Sequence, residues 1–412
     1  LGWTGDTQAF CCTAAYNADV DGFFHKWLQD ARDSQAENGM YPDVIPKVRV
    51  VGWGGAAWSD AGIIVPYTMW KMYADTDIIR EHYASMERYM DWLATTDLSG
   101  PNATYGDWLA YEPTDARYIS VAYYALDARY MAAMSRAIDR ADRAAHYDDL
   151  FEQVRDHFRR IYCNAEGDLN PEVRTQTGYL LALRNDLLLP ERRPAAVAAL
   201  KQKIIDNGYK LSTGFVGSCI LNEVLAEFGE NNLAYSLLLQ TENPSWLYSV
   251  HQGATTIWER WNSYTKATGF GDVGMNSFNH YAYGAVQEWM YRHIAGIETT
   301  EQAPGFAHPI LQPKPDTRSA EEIPAGQEKI TWVRTSFASP VGLIESAWDM
   351  TDGFTYTCRV PVAATLHLPL IGNAETLIIN GVAHKPDEFR LCPIGKGVTI
   401  ELAPGAYTIE QK

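Results

Sequence analysis

Four tryptophans stand beside a carboxylic acid in or next to segments with little helical pattern. The pairs are Trp3 with Asp6, Trp58 with Asp60, Asp107 with Trp108, and Trp258 with Glu259. A sugar presents an apolar C–H face and a rim of hydroxyls, so a flat indole and an acceptor carboxylate suit it. Any single pair is better explained as a core tryptophan beside a capping or surface acid. The four together favour a sugar-binding pocket.

Two of these acids could carry out chemistry on a bound sugar. Glycoside hydrolysis needs a carboxylic acid that protonates the leaving oxygen and a carboxylate that activates water or attacks the sugar directly. Asp6 and Glu259 meet that need, since each lies in a short Trp-containing segment without helical amphipathicity. Aromatic walls would strip water from Glu259, and the neighbouring Arg260 could oppose that effect. We therefore expect Asp6 and Glu259 to be the catalytic carboxylates.

His280 lies in an Asn-rich and aromatic stretch, residues 275–281. Its imidazole could hydrogen-bond a sugar hydroxyl or orient a catalytic group. A lone histidine among aromatics is more often a structural residue, and the sequence leaves both interpretations open. The six cysteines have neither metal-ligand spacing nor paired histidines nearby. We therefore expect no metal site, no cofactor and no disulfide framework.

The composition narrows the choice of ligand. A net charge of -17 repels phosphate backbones and anionic lipid surfaces, so nucleic acid is a poor partner. No apolar run is long enough to span a membrane. Aromatic residues make up 12% of the chain, a surplus that a neutral, ring-shaped ligand would use. Nothing in the sequence indicates the compartment or the oligomeric state.

Helices must position these side chains. From Asp6 to about Gly296, apolar residues recur at helical spacing in roughly eleven segments, separated by Gly, Pro, Asn and Asp. The longest runs predict helices over residues 117–139, 144–162, 193–207, 215–228 and 280–295. Eleven or twelve antiparallel helices with long loops suit a closed double ring better than a small bundle. We therefore expect a mainly α protein whose catalytic domain, residues 1–297, is an (α/α) barrel.

The composition and the spacing of apolar residues change after Ile297. Residues 298–328 hold five prolines and many charges, which is typical of a linker or crossing segment. Short β-like runs separated by turn signals follow, and they predict a small antiparallel β-sandwich domain at residues 329–412. These runs are residues 329–333, 355–360, 365–368, 376–379 and 398–402.

Several of these segments, in order along the chain, resemble glycoside hydrolase family 78, the α-L-rhamnosidases. The motifs are Leu1-Gly2-Trp3-Thr4-Gly5-Asp6, Trp58-Ser59-Asp60-Ala61, Tyr105-Gly106-Asp107-Trp108-Leu109, Pro244-Ser245-Trp246-Leu247-Tyr248, and residues 211–217, 253–261 and 275–282. The resemblance implies an (α/α)6 barrel that removes terminal L-rhamnose with inversion, followed by a small β-sandwich. Its partner would be a rhamnose-containing glycoside or oligosaccharide.

The resemblance also implies a role for each residue that matches. Glu259 would be the general base and Asp6 one of the acids around the glycosidic oxygen. His280 would contact the sugar or support the base. The indoles of Trp3, Trp58 and Trp108 would line the sugar subsite. The other positions that would bind the substrate are Asp60, Asp107 and Arg260.

Two alternatives stay open. In the resembled family an Asp and a Glu lie a few residues before the Leu-Gly-Trp motif, and that Glu is commonly assigned as the general acid. Because the sequence begins inside the motif, it is either a fragment of a longer gene product or a catalytically incomplete sugar-binding protein, in which Asp6 could partly stand in. The second alternative is another helical-barrel carbohydrate enzyme, either a glucoamylase-like hydrolase or a sugar epimerase with a second histidine such as His251 facing His280.

Overall fold

The computed structural model describes residues 2–48, 52–393 and 395–412. Twelve α-helices are assigned within these ranges, and a π-helical turn, Met290–Ile294, continues the last of them. The helices are α1 (Thr4–Asn17), α2 (Asp21–Ser34), α3 (Ala61–Tyr73), α4 (Thr76–Ala94), α5 (Ala116–Ala137), α6 (Ala141–Tyr162), α7 (Gln176–Arg184), α8 (Arg193–Asp206), α9 (Phe215–Glu227), α10 (Asn231–Leu238), α11 (Trp246–His251) and α12 (Val286–Trp289).

Six helices close into a ring. Each of α1, α3, α5, α7, α9 and α12 contacts the next, and α12 returns to α1. The helices between them pack outside: α2 and α4 contact α3, α6 contacts α5, α8 contacts α7, and α10 contacts α9. The helical periodicity predicted a closed double ring and the family resemblance implied an (α/α)6 barrel, and both predictions are confirmed.

Burial explains which helices form the inner ring. Ten of the 13 residues of α3 and 17 of the 22 residues of α5 are buried, so these helices are covered on nearly every side. The outer helix α6 buries only a stripe that includes Tyr147, Val154 and Phe158, which is the pattern of a helix with one solvated face. Among the described residues, no helix is long and apolar enough to cross a bilayer.

The inner helices carry the predicted site residues at one end of the barrel. Because an outer helix returns the chain after each inner one, the inner helices run in the same direction and begin at the same end. Trp3 directly precedes α1, and Trp58 and Asp60 directly precede α3. Asp107 and Trp108 lie in the loop before α5. The loops at this end therefore assemble residues that are distant in sequence.

The C-terminal region is built from two sheets, with orders β10-β9-β13-β7-β6-β5 and β11-β12-β8-β4-β3. The predicted C-terminal antiparallel domain is confirmed, with one parallel pair, β4 with β8, that was not predicted. A separate hairpin, β1 (Tyr264–Thr265) with β2 (Gly269–Phe270), lies within the barrel region. The other strands are β3 (Ile297–Glu298), β4 (Ile310–Leu311), β5 (Trp332–Ser339), β6 (Gly342–Asp349), β7 (Phe354–Val360), β8 (Ala364–Pro369), β9 (Leu377–Ile379), β10 (Val382–His384), β11 (Arg390–Leu391), β12 (Gly397–Leu402) and β13 (Gly405–Gln411).

The proline-rich segment 298–328 is packed against the rest of the protein. It contributes β4, and β3 ends at its first residue. The ion pair between Asp316 and Arg318, with 2.7 Å between Oδ2 and Nη2, has both side chains fully buried. Arg318 also donates to Ser236 of α10 at 3.3 Å. The segment thus acts as an ordered crossing, while the domain boundaries at 297 and 328 stay a prediction.

Candidate active site

Three of the predicted tryptophans meet around a single tyrosine. The ring of Tyr105 lies 5.4 Å from Trp3, 4.6 Å from Trp58 and 6.3 Å from Trp108, measured between ring centroids. The contacts with Trp3 and Trp108 are edge-on, which suits the quadrupoles of the rings. The structure therefore brings together indoles from three separate loops.

Gly5 allows the first turn of α1 to lie against Trp58. A Cβ built on Gly5 would fall 2.6 Å from the indole of Trp58, closer than atoms can pack. Trp58 is 3% exposed, whereas Trp3 and Trp108 are half-buried. Packing therefore explains the second glycine of the Leu-Gly-Trp-Thr-Gly-Asp motif, because only a hydrogen atom fits between the helix and the indole.

Asp6 and His280 form a direct contact between the beginning of the chain and its distant loop. Asp6 lies in the first turn of α1 and is 4% exposed, and its Oδ1 lies 2.9 Å from Nε2 of His280. Nδ1 of His280 is buried and meets no hydrogen-bond partner among the described residues. A neutral imidazole that carries its proton on Nε2 and donates it to Asp6 satisfies this geometry.

Glu259 is held in the same loop system as His280. The backbone N–H of Glu259 donates to the carbonyl of Ser277 at 2.9 Å, and that of His280 donates to Ile257 at 2.9 Å. The hydroxyl of Thr256 donates to the carbonyl of Phe278. Because two adjacent segments carry Glu259 and His280, and His280 reaches Asp6, the predicted catalytic carboxylates belong to one region of the molecule.

The charges of these acids act on shared neighbours. Burial raises the pKa of the Cys219 thiol, and the carboxylates of Asp107 and Asp6 raise it further. Burial likewise raises the pKa of Tyr283 well above its ordinary value, with Asp107 and Glu259 among the charges that add to it. These overlapping influences extend the region from Asp6 through Asp107 to Glu259.

The carboxylate of Asp107 is fully occupied within the protein. It accepts hydrogen bonds from the Thr177 hydroxyl at 2.5 Å and from the backbone N–H groups of Gly214 at 2.9 Å, Val216 at 2.8 Å and Gly217 at 3.2 Å. Three of these donors lie at the start of α9, where free N–H groups and the helix dipole favour an anion. Asp107 thus anchors α9 beside Trp108.

The carboxylate of Asp60 also lies inside the protein. Asp60 is 1% exposed, and its oxygens accept from the backbone N–H of Ala57 at 2.5 Å and the hydroxyl of Tyr89 at 3.1 Å. Burial raises the pKa of Asp60, and the fully buried Asp127 lies beside it. The structure therefore buries Asp60, two residues after Trp58, with its oxygens used by protein groups.

Arg260 joins the Glu259 segment to the loop that follows. Its Nη1 donates to the carbonyl of Met275 at 3.2 Å, and its backbone N–H donates to the hydroxyl of Ser263 at 3.2 Å. His251, the possible partner of His280 in an epimerase, is exposed at the end of α11. The Nε2 of His280 faces Asp6 instead.

Two residues of this region were missed by the sequence analysis. Tyr105 is the centre of the indole cluster, and its hydroxyl donates to Asp43 at 3.0 Å. Asp43 is 1% exposed and also accepts from the backbone of Gly55 at 2.9 Å and the hydroxyl of Ser59 at 3.0 Å. Tyr105 stands two positions before Asp107, so its place beside a predicted tryptophan and acid pair could have identified it. Asp43 is not next to any of the four pairs, and the sequence offered no signal for it.

A cavity of about 350 Å³ lies inside the ring of helices. Near the helix starts it is lined by Gly5, Ala57, Trp58 and Phe215, and its lining does not extend to Asp6, Glu259 or His280 in the described part of the chain. Phe215 connects the cavity lining to the predicted catalytic residues, since its ring lies 5.1 Å from the imidazole of His280. Deeper in the ring the lining is charged: Lys71, Arg184, Glu223, Glu288 and Arg292.

Within the described ranges, two groups of side chains have the composition of a metal site. They are Asp21 with His25 and Asp75, and Glu223 with Glu227 and His293. Each group is already engaged in ion pairs. His25 lies 2.6 Å from Asp75, and Glu223 lies 2.6 Å from Arg292. Burial alone would raise the pKa of Glu223, but the charges of Arg292 and His293 outweigh it and lower that pKa to about 2. Neither group includes a residue of the predicted active site.

The family follows from comparison with known sequences. A profile described as the bacterial alpha-L-rhamnosidase 6 hairpin glycosidase domain matches residues 1–294, and one described as the bacterial alpha-L-rhamnosidase C-terminal domain matches residues 296–381. The chain belongs to the bacterial α-L-rhamnosidase family. This membership confirms the resemblance expected from the Trp and Asp motifs.

Curated α-L-rhamnosidases align with most of the chain. One from Streptomyces avermitilis is 38% identical over 369 residues, which is 89% of this chain and 34% of that protein. One from Formosa agariphila is 38% identical over 392 residues, 92% of this chain and 41% of that protein. The chain thus spans about a third to two fifths of the length of the α-L-rhamnosidases that it matches.

The fold agrees with that of a solved α-L-rhamnosidase. The Streptomyces avermitilis enzyme, crystallised in complex with L-rhamnose, superposes with a TM-score of 0.88 at 33% identity. The match covers 100% of this chain and 38% of that one. The barrel and the C-terminal sheets are therefore the family's architecture.

Proposed function

We propose that the chain is the catalytic part of an inverting glycoside hydrolase that releases terminal α-L-rhamnose from glycosides or oligosaccharides. The observation that carries the proposal is the contact between Asp6 and His280, 2.9 Å apart, in a loop system that also holds Glu259. Membership of the α-L-rhamnosidase family indicates L-rhamnose as the sugar that is released. The cluster of indoles around Tyr105 supplies a surface on which a sugar face can stack.

Each candidate residue receives a role in this proposal. Glu259 takes a proton from water, whose oxygen attacks the anomeric carbon as the bond to the leaving oxygen breaks on the opposite face. Asp6, oriented by His280, lies among the acidic groups near the leaving oxygen. Arg260 orders the segment that carries Glu259. No metal or cofactor takes part in these steps.

The tryptophans and the two occupied carboxylates act differently. Trp3, Trp58 and Trp108 form the wall of the sugar subsite, and part of that wall faces the methyl group at C6 of rhamnose. A hexose would strand its extra hydroxyl against this apolar surface. Asp60 and Asp107 position Trp58 and Trp108 through the turn and the helix start that they anchor, in place of the direct sugar contact predicted from the sequence.

Hydrolysis of p-nitrophenyl α-L-rhamnoside tests the role of Glu259 directly. The p-nitrophenolate leaves without needing a proton, so the assay depends on the base rather than on the acid. We expect Glu259→Gln to lower kcat by about 100-fold or more, while L-rhamnose still binds to the variant in calorimetry. Equal rates for both proteins would remove Glu259 from its role. Rhamnose binding by the wild-type chain without any hydrolysis would identify a sugar-binding fragment.

A further inference from the structure

Several aromatic side chains near Glu259 are exposed to solvent. Phe270 is 72% exposed and Phe278 is 36% exposed, and Val273 between them is 98% exposed. They belong to residues 263–278, which we call the rim hairpin because it contains β1 and β2 and follows the Glu259 segment. Exposed apolar groups gathered in one place are uncommon on a soluble surface and mark a binding site more often than scattered ones do.

The exposed rings are connected to the active-site segment by successive edge contacts. Trp258, the neighbour of Glu259, lies 5.2 Å from Phe278, with the rings at 80°. Phe278 lies 5.7 Å from Phe270 at 85°, and Phe270 lies 5.2 Å from Tyr264 at 62°. The series begins at the buried indole of Trp258, 8% exposed, and its third ring, Phe270, is the most exposed of the group. It forms a continuous aromatic surface that leads outward from Glu259.

Hydrogen bonds hold the rim hairpin in a defined conformation. Tyr264 pairs with Phe270 across β1 and β2, and the backbone N–H of Gly271 donates to Ser263 at 2.8 Å. The side-chain amide of Asn276 donates to the same carbonyl at 3.0 Å. The backbone that carries Phe270 is therefore fixed outside the core, and a ligand that packs on its ring need not order the loop.

We infer that the rim hairpin binds the leaving group of the substrate, and that it selects a leaving group with a flat, apolar body such as an aryl ring. The inference rests on the proposed function, in which a terminal rhamnose stacks on the indole cluster and its aglycone extends toward solvent. A planar ring can pack against Phe270 and Phe278 edge-on or offset, as the existing rings do with each other. Phe270 is then a specificity-determining residue, separate from the groups that hold rhamnose.

Binding to the Glu259→Gln variant tests the inference without hydrolysis. Calorimetry would compare 2-naphthyl α-L-rhamnoside with methyl α-L-rhamnoside, which share the sugar and differ in the leaving group. We expect Phe270→Ala, made in the same background, to weaken naphthyl rhamnoside binding about 5- to 10-fold and to leave methyl rhamnoside binding within about 2-fold. Phe270→Trp should restore the naphthyl preference.

A matched control is Phe23→Ala, since Phe23 is a 62% exposed phenylalanine on the outer helix α2. It should change neither affinity. Equal weakening of both ligands by Phe270→Ala would overturn the inference, because Phe270 would then support the sugar site. Unchanged affinities for both ligands would overturn it too. If methyl rhamnoside does not bind to the protein with Phe270 intact, the proposed function itself fails.

Discussion

At the scale of single residues, Asp60 and Asp127 are two fully buried acids that lie next to each other. Both oxygens of Asp127 are buried, and the carboxyl of Asp60 lies beside them. Burial raises the pKa of Asp127 well above its usual range, and the charge of Asp60 adds to the effect. One proton held between the two carboxyls avoids two buried negative charges side by side.

This arrangement predicts that Asp127→Asn stabilises the protein at neutral and alkaline pH. A carboxyl whose pKa rises on folding contributes fully to stability below its unfolded pKa, about 4, and loses that contribution as the pH rises toward the folded pKa. The asparagine cannot ionise, so the variant escapes this loss. Melting temperatures measured from pH 4 to 9 should diverge, with the variant gaining on the wild type as the pH rises above about 4. A variant that melts lower at every pH would contradict the assignment.

Prediction of single site residues from the sequence depended on local signals. The pairs of tryptophan and acid are visible in short motifs, and Trp3, Trp58 and Trp108 do meet in space. The hydrogen bonds that occupy Asp107 come from residues 70 to 110 positions away. No local pattern reveals such partners, and Asp107 and Asp60 were therefore predicted as sugar contacts without a way to see that their oxygens are occupied.

At the scale of elements, the inner helices fix the site through their first turns. Helix α1 begins at Thr4, directly after Trp3, and packs against Trp58 through Gly5. The sequence predicted α5, α6, α8 and α9 to within a few residues, because their apolar periodicity is long. It missed β6 and β13, and it predicted one helix over residues 280–295, where 3-10, α and π turns follow one another. Successive 3-10, α and π turns differ too little in residue spacing for apolar periodicity to tell them apart.

Gly5→Ala tests the packing of α1 on Trp58. The added methyl group would fall 2.6 Å from the indole, so Trp58 must move, and we expect a loss of about 1 to 3 kcal/mol in the free energy of unfolding. Rhamnose binding should weaken about 10-fold, since the wall of the subsite shifts. Chemical denaturation and calorimetry measure the two effects.

Gly22→Ala is the matched control for this substitution. A Cβ on Gly22 of α2 would meet nothing within 4 Å, and alanine favours a helix over glycine by up to about 1 kcal/mol. The control should be neutral or slightly stabilising. A Gly5→Ala protein that behaves like the control would show that the contact between α1 and Trp58 is loose.

At the scale of the whole molecule, the crossing segment ties the barrel to the C-terminal sheets. Asp316 and Arg318 are fully buried, Arg318 donates to Ser236 of the barrel, and Asp316 accepts from the backbone N–H of Ile330 at 3.1 Å. Charge and proline content predicted a linker or crossing segment here. Composition cannot show that these particular charges neutralise each other in the interior.

Arg318→Met should destabilise the protein by about 3 to 5 kcal/mol, because it leaves the buried carboxylate of Asp316 without its partner. Urea denaturation followed by tryptophan fluorescence measures the loss. The exposed pair of Arg359 and Glu345, 2.9 Å apart on the outer face of the sheet, provides the comparison. Arg359→Met should cost no more than about 1 kcal/mol. Similar losses for both variants would mean that the crossing segment contributes little to stability.

The stereochemistry of hydrolysis tests the proposed mechanism most directly. Proton NMR recorded during the first minutes of p-nitrophenyl α-L-rhamnoside cleavage identifies the anomer that forms first, before mutarotation. Water activated by Glu259 on the face opposite the leaving group predicts β-L-rhamnose as the first product. Initial release of α-L-rhamnose, or no rhamnose above the uncatalysed rate, would contradict the account.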